Sequence, residues 1–117
     1  MSAGQFNTIM DQGSTFALQL ACQDPTGTPI NLSGLQCEMQ LRSLPEDNNY
    51  VLELSTQNGD ITILGAQGII QITATSTQTG AVSPGPYYYD VELTNPNTNS
   101  VTRVVQGQVV VNAEVTR

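Results

Sequence analysis

The residues best placed to do chemistry are two carboxylates on one extended run. Asp90 and Glu92 stand two apart in YYYDVEL, Tyr87 to Leu93, so they share a face and their carboxyls can approach to about 6 to 7 Å, two residue rises. Paired acids of that kind can protonate a glycosidic oxygen while the second carboxylate activates water or attacks the sugar. A glycosidase also needs a sugar-binding cleft, usually lined with aromatics, and the six Tyr and Phe residues here fall mostly at the apolar positions of alternating segments. Asp90 and Glu92 therefore read as a solvated outer face, paired with Arg103 across a hairpin.

The other reactive groups fare no better. Glu46, Asp47, Asn48 and Asn49 offer oxygen ligands for calcium, but their spacing does not match the 12-residue calcium loop. They read as a solvated loop. Asn31-Leu32-Ser33 has the form of a glycosylation acceptor, a triplet common by chance and without a secretion signal beside it. Cys22 and Cys37 each occupy an apolar position of an alternating segment, where a thiol behaves as a small hydrophobe. Two reduced core thiols are the expectation and a disulfide the alternative, since disulfides are rare in the cytoplasm; with no CxxC pair, a zinc site has no support. Serines and threonines are plentiful, yet the chain has no His and no Lys to activate one. No catalytic residue, metal ligand or cofactor site is expected.

Composition points the same way. Three arginines, Arg42, Arg103 and Arg117, face ten acidic residues, for a net charge of −7, so no basic cluster exists to neutralise a phosphate backbone. Nucleic acid is excluded as a partner. Thr, Gln, Asn and Ser supply 43 of the 117 residues, a surface hydrated by amides and hydroxyls whose contacts should depend little on salt. The opening MSAGQFNTIMDQG has neither a basic stretch nor an apolar core of a signal peptide, and no apolar run approaches membrane-spanning length, so a protein made in the cytoplasm with no membrane partner is expected.

The elements that position these groups are strands. Apolar residues alternate with period two from end to end, and helical spacing is sustained nowhere. Thr15 to Gln23 puts Phe16, Leu18, Leu20 and Cys22 on one face. Gln36 to Arg42 does so with Cys37, Met39 and Leu41, and short runs carry Tyr50, Leu52 and Leu54, then Ile61 and Ile63, then Ile70, Ile72 and Ala74. Asn58-Gly59 is a hairpin dipeptide expected to join the third run to the fourth. From Ser76 to Pro84 the pattern dissolves, with room for one helical turn across the end of the domain. Tyr87, Tyr89, Val91 and Leu93 share a face opposite Tyr88, Asp90 and Glu92, and this run should pair with Val101 to Val111 as an antiparallel hairpin. Gly107 marks a bulge or a close backbone approach. All six prolines fall in the expected connections.

Seven or eight short strands with turn signals every 8 to 15 residues fit one domain, an all-β, immunoglobulin-like antiparallel β-sandwich, with a closed barrel as the rival. Tyr87 stands where such sandwiches often keep a tyrosine whose hydroxyl bonds back to nearby backbone. The antibody-type Trp and inter-sheet disulfide are missing. Residues 13–117 form the sandwich, and residues 1–12, with Phe6, Ile9 and Met10, are either its first edge strand or an arm inserted into a neighbour by β-addition. Phe6, Ile9, Met10 and Tyr88 are the candidate partner-binding residues, and deletion of residues 1–10 is expected to weaken docking more than folding.

DQGSTFALQL (Asp11 to Leu20), DPTGTPINLSG (Asp24 to Gly34), MQLR (Met39 to Arg42), GPYYYDVEL (Gly85 to Leu93), and VTRVVQGQVVV with the closing EVTR (Val101 to Val111, Glu114 to Arg117) resemble small immunoglobulin-like structural proteins of tailed bacteriophages. They are similar to the N-terminal domain of the baseplate upper protein and to short standalone virion proteins. The resemblance implies a non-enzymatic virion component, present in several symmetric copies, that docks onto tail, neck, baseplate, fibre-attachment or capsid proteins. A capsid decoration protein is the alternative within that class. A free-standing carbohydrate- or ligand-binding sandwich is the alternative outside it.

Overall fold

The alternating runs build two facing sheets in the computed structural model, which describes residues 4–116; residues 1–3 of the N-terminal segment and Arg117 of the closing EVTR lie outside that range. The strands are β1 (Gly4–Gln5), β2 (Thr8–Asp11), β3 (Phe16–Ala21), β4 (Gln36–Arg42), β5 (Leu52–Ser55), β6 (Ile61–Leu64), β7 (Ile69–Ala74), β8 (Gly85–Asn95) and β9 (Ser100–Asn112). A five-residue helix, α1 (Ser76–Gly80), stands between β7 and β8, closed at its start by a reciprocal capping box between Thr75 and Gln78.

One sheet has the order β1-β9-β8-β4-β5, with β2 also on β9, and the other the order β3-β7-β6. This is the immunoglobulin-like division: the third, seventh and sixth strands oppose the fourth, eighth and ninth, with β5 as the extra edge strand of the variable type. Counting β1 and β2 as one interrupted edge segment, the strands among the described residues number eight. The pairing is not antiparallel throughout, because β1 and β2 run parallel to β9. Parallel neighbours need a long crossover, and here nearly the whole chain lies between the first strand and the last.

The enclosed layer is the set that alternation picks out. Tyr87, Tyr89, Val91 and Leu93 of β8, Cys37, Met39 and Leu41 of β4, and Ile70, Ile72 and Ala74 of β7 are buried together with Phe16, Leu52, Leu54, Ile61, Val105, Val109 and Val111. The Tyr87 hydroxyl donates to the Ser83 carbonyl at 2.6 Å, the tyrosine corner expected at this strand start.

Three local expectations change, and of the two alternatives for Gly107 one holds. Asn58-Gly59 does form a tight turn, with Gly59 at φ 83° and the Asp60 N–H on the Ser55 carbonyl at 3.1 Å, but it is no hairpin. Strand β5 pairs with β4 and β6 with β7, so the turn carries the chain from one sheet to the other. Tyr50 precedes β5 and is exposed, so it takes no part in the core. Pro86 lies inside β8, opposite Val110. It is tolerated because β4 reaches only as far as Tyr88, which leaves the Pro86 level of β8 with β9 as its sole sheet neighbour. The β8–β9 bulge falls at Val104, between the Val91–Val105 and Glu92–Arg103 pairs, and not at Gly107. Gly107 is instead a close backbone approach: a Cβ there would run into the Phe6 carbonyl.

Candidate functional site

The outer face of the larger sheet is built in rows, because residues opposite one another in register point the same way. One row crosses five strands as Gln5, Gln106, Asp90, Gln40 and Glu53. The row beside it contains Gln108, Tyr88 and Arg42. Next to that, Ile9, Val110 and Pro86 make an exposed apolar row across β2, β9 and β8. Between the polar rows lies an open groove of about 560 Å³, whose lining includes Asn7, Gln40, Arg42, Tyr88, Asp90 and Arg103.

Hydrogen bonds fix the groove's charged groups. Arg42 donates through Nη1 to the Asp47 carbonyl at 2.8 Å and through Nη2 to Gln40 Oε1 at 2.6 Å, and Gln40 Nε2 donates to Glu53 Oε2 at 2.6 Å. Arg103 Nε lies 3.2 Å from Asp90 Oδ2 and 4.0 Å from Glu92 Oε2, while its Nη1 donates to Gln106 Oε1 at 3.0 Å. The two carboxylates singled out for hydrolytic chemistry therefore share one guanidinium. Burial and the Asp90 charge raise the Glu92 carboxyl above its ordinary value, and Arg103 pulls it back. The face can bind through hydrogen bonds, salt links and the Tyr88 phenol.

The candidate partner residues divide. Tyr88 stands at the groove, 38% exposed; Phe6 and Ile9 are 47% and 60% exposed on the N-terminal segment. Met10 is different. Its side chain is fully buried, because alternation in β2 turns Ile9 outward and Met10 into the sandwich, so it cannot meet a partner directly. Residues 4–11 also lie on their own chain's last strand, with the Asn7 side-chain oxygen accepting the Gln108 N–H at 3.0 Å.

The remaining sequence candidates lie apart from the groove or serve local structure. Asp47 folds its loop back by accepting the Leu44 N–H at 3.2 Å, and no group of three or more Cys, Asp or Glu is arranged to hold a metal among the described residues. Asn31 Oδ1 accepts the Ser33 N–H at 2.9 Å in a local turn. In the DPTGTP turn the Asp24 carboxyl is held below its ordinary value by the Thr26 hydroxyl and then the Thr28 N–H. Cys22 and Cys37 are free thiols, both raised by burial, Cys37 to about 12. Arg42, Gln40, Asn7 and Gln106 were not foreseen as a group; the signal that joins them is the pairing of Arg42 with Tyr88 and of Gln40 with Asp90, which a single strand's pattern does not carry.

No family model matches the chain, and no curated protein matches it. Among solved structures, that of the NK cell receptor Nkp44, a triggering partner in natural cytotoxicity, aligns over 96% of this chain and 100% of its own at 16% identity, with a TM-score of 0.49. Listeria monocytogenes InlP aligns over 94% of this chain at 19% identity and a TM-score of 0.48, and the match spans 27% of the InlP chain. The fold assignment given above rests on this chain's own strand order.

Proposed function

We propose that this protein is a non-enzymatic assembly module of a tailed-bacteriophage particle, held in the tail, neck, baseplate or fibre-attachment region through the outer face of its larger sheet. The observation that carries the docking part is the unbroken row of amide and carboxyl groups across five strands, from Gln5 to Glu53, with Tyr88 and the two arginines beside it. Such a face offers many hydrogen-bond donors and acceptors on a rigid support, and Tyr and Arg are the residue types that most often anchor protein interfaces. The virion part is supported by the resemblance of the strand and turn segments to small immunoglobulin-like phage proteins. Neighbours in the particle would be other virion proteins, met in several symmetric copies.

Mass spectrometry of purified virions tests this reading. The chain should be present in a copy number that is a multiple of three or six; hundreds of copies would mark a capsid decoration protein instead, and absence would end the proposal. A second reading, a carbohydrate-binding sandwich, is favoured by the polar groove with the exposed Tyr88 at its side. Micromolar binding on a glycan array, lost in Tyr88→Ala, would select it.

A further inference from the structure

The longest uninterrupted open edge among the described residues is β3, six residues on the rim of the smaller sheet with β7 as their one ladder partner. In constant-type immunoglobulin sandwiches the first strand lies beside the second on this sheet. Here both N-terminal strands run along β9 instead, so the far side of β3 has no strand. The Cys22 N–H donates to the Gly68 carbonyl at 2.7 Å, continuing the β3–β7 register. Main-chain groups alternate sides along an antiparallel strand, so Leu20 and Leu18 also turn theirs toward β7, while Ala17, Gln19 and Ala21 turn theirs to the open edge. The side chains of Ala17, Gln19 and Ala21 are exposed; Leu18 and Leu20 pack against the core but are only partly buried. Open edges are commonly guarded by lysine, proline, a bulge or an inward charge, and β3 has none of these. No charged residue occurs from Gln12 to Gln23, in a chain of net charge −7. By contrast β5 carries Glu53, β2 ends on Asp11 and β6 follows Asp60 directly.

We propose that the protein self-associates through β3, two copies pairing these strands antiparallel about a two-fold axis at Gln19 into one continuous sheet of order β6-β7-β3-β3-β7-β6. The pattern of β3 is symmetric about that residue. Ala17 of one copy stands opposite Ala21 of the other, Gln19 opposite its own counterpart, and each of these pairs exchanges two main-chain hydrogen bonds between groups that a single copy leaves open. On the core side Leu18 faces Leu20 of the second copy across a non-hydrogen-bonded pair, the closer kind, so leucines half covered in one copy are covered in two. On the outer side the facing residues are small or amides, and an amide both donates and accepts. The uncharged edge lets two acidic chains meet without like charges face to face. The result is an isologous contact that closes on itself and leaves no free β3 edge for further copies. It leaves the groove face of the larger sheet free, so it does not rest on the virion reading.

Sedimentation of the full chain should shift reversibly from the 12.5 kDa monomer to twice that mass as concentration rises from micromolar to millimolar. Over the same range the amide protons of Ala17, Gln19 and Ala21 should become protected from exchange, while those of Leu18 and Leu20, already bonded to β7, should change little. Gln19→Lys puts like charges directly opposite each other at an exposed site; it should keep the circular dichroism of the parent and weaken self-association by roughly tenfold. Gln19→Cys should link two copies through the substituted position on mild oxidation, because the facing Cα atoms of a hydrogen-bonded pair lie about 5.5 Å apart, within disulfide reach. Ala17→Cys should not, since it faces Ala21 of the other copy. A chain that stays monomeric at millimolar concentration would overturn the proposal and leave the edge to a strand of a different protein. So would a dimer whose three outward amides still exchange freely, or one that Gln19→Lys leaves at full affinity.

Discussion

The phenol of Tyr89 donates a hydrogen bond to the main-chain carbonyl of Phe6 at 2.6 Å, across 83 positions of sequence. Tyr89 stands opposite Gly107 in the β8–β9 ladder, and the missing side chain at Gly107 leaves the space the Phe6 carbonyl occupies. One side chain and one absent side chain together dock the N-terminal segment. Tyr89→Phe removes the donor while keeping the ring, so it should lower unfolding stability by about 1 to 2 kcal/mol in urea titration. Amide exchange in β2 should quicken more than in β7.

Gly107→Ala attacks the same contact from the other side. The added methyl meets the Phe6 carbonyl and the Asn7 side chain, and the expected loss is about 1 to 3 kcal/mol. Because both changes act on one contact, the Tyr89→Phe, Gly107→Ala double variant should lose less than the sum of the singles. Additive losses would show that the two positions act independently.

Met10→Ala opens a cavity in the core and should cost about 2 to 5 kcal/mol, against a few tenths for Ile9→Ala beside it. For the same reason, deleting residues 1–10 is expected to reduce Tm substantially, which reverses the sequence-based expectation that docking would suffer more than folding. Thermal melts of the three proteins decide this.

Arg103 is half exposed, so its links to Asp90 and Glu92 should contribute little, and Arg103→Ala should change stability by less than about 1 kcal/mol. Its effect on titration is more specific. Glu92 is raised by burial and by Asp90 and lowered by Arg103, so removing the guanidinium should push the Glu92 carboxyl higher still. Carboxyl NMR shifts followed against pH would read it.

Alkaline stability should depend on Cys37. Burial, then the Cys22 and Glu38 charges, hold its thiol at about 12, against 9.0 for an ordinary cysteine. The folded state therefore keeps a proton that the unfolded chain gives up first. That stabilisation is complete below pH 9 and is lost as pH rises toward 12. Cys37→Ala should show a shallower fall in urea midpoint above pH 9, with part of the slope remaining because burial also raises the Tyr89 phenol.

What could be read from the sequence was what a single strand decides. Tyr87, Tyr89, Val91 and Leu93 alternate because β8 has one face on the core, and its partner β9 follows at once in the chain. Met10 was grouped with Phe6 and Ile9 because an apolar residue in a polar segment does not reveal its face; the β2 register does. Asn58-Gly59 specified a turn but not its destination, since the sheet that β6 joins is set by pairing with β7, after the turn is complete. The groove was less legible still. Arg42, Tyr88 and Arg103 come from three strands, and only the long-range register places them around one depression.

The parallel seam between the N-terminal strands and β9 has a mechanical meaning. Because β1, β2 and β9 run the same way, the backbone enters the seam at one end of the sheet and leaves β9 at the other. Tension applied through the two ends of the domain loads those hydrogen bonds side by side in shear, so they must yield together and cannot unzip one at a time. A domain fastened in this way should resist a pull through its ends more than one whose terminal strands can peel apart.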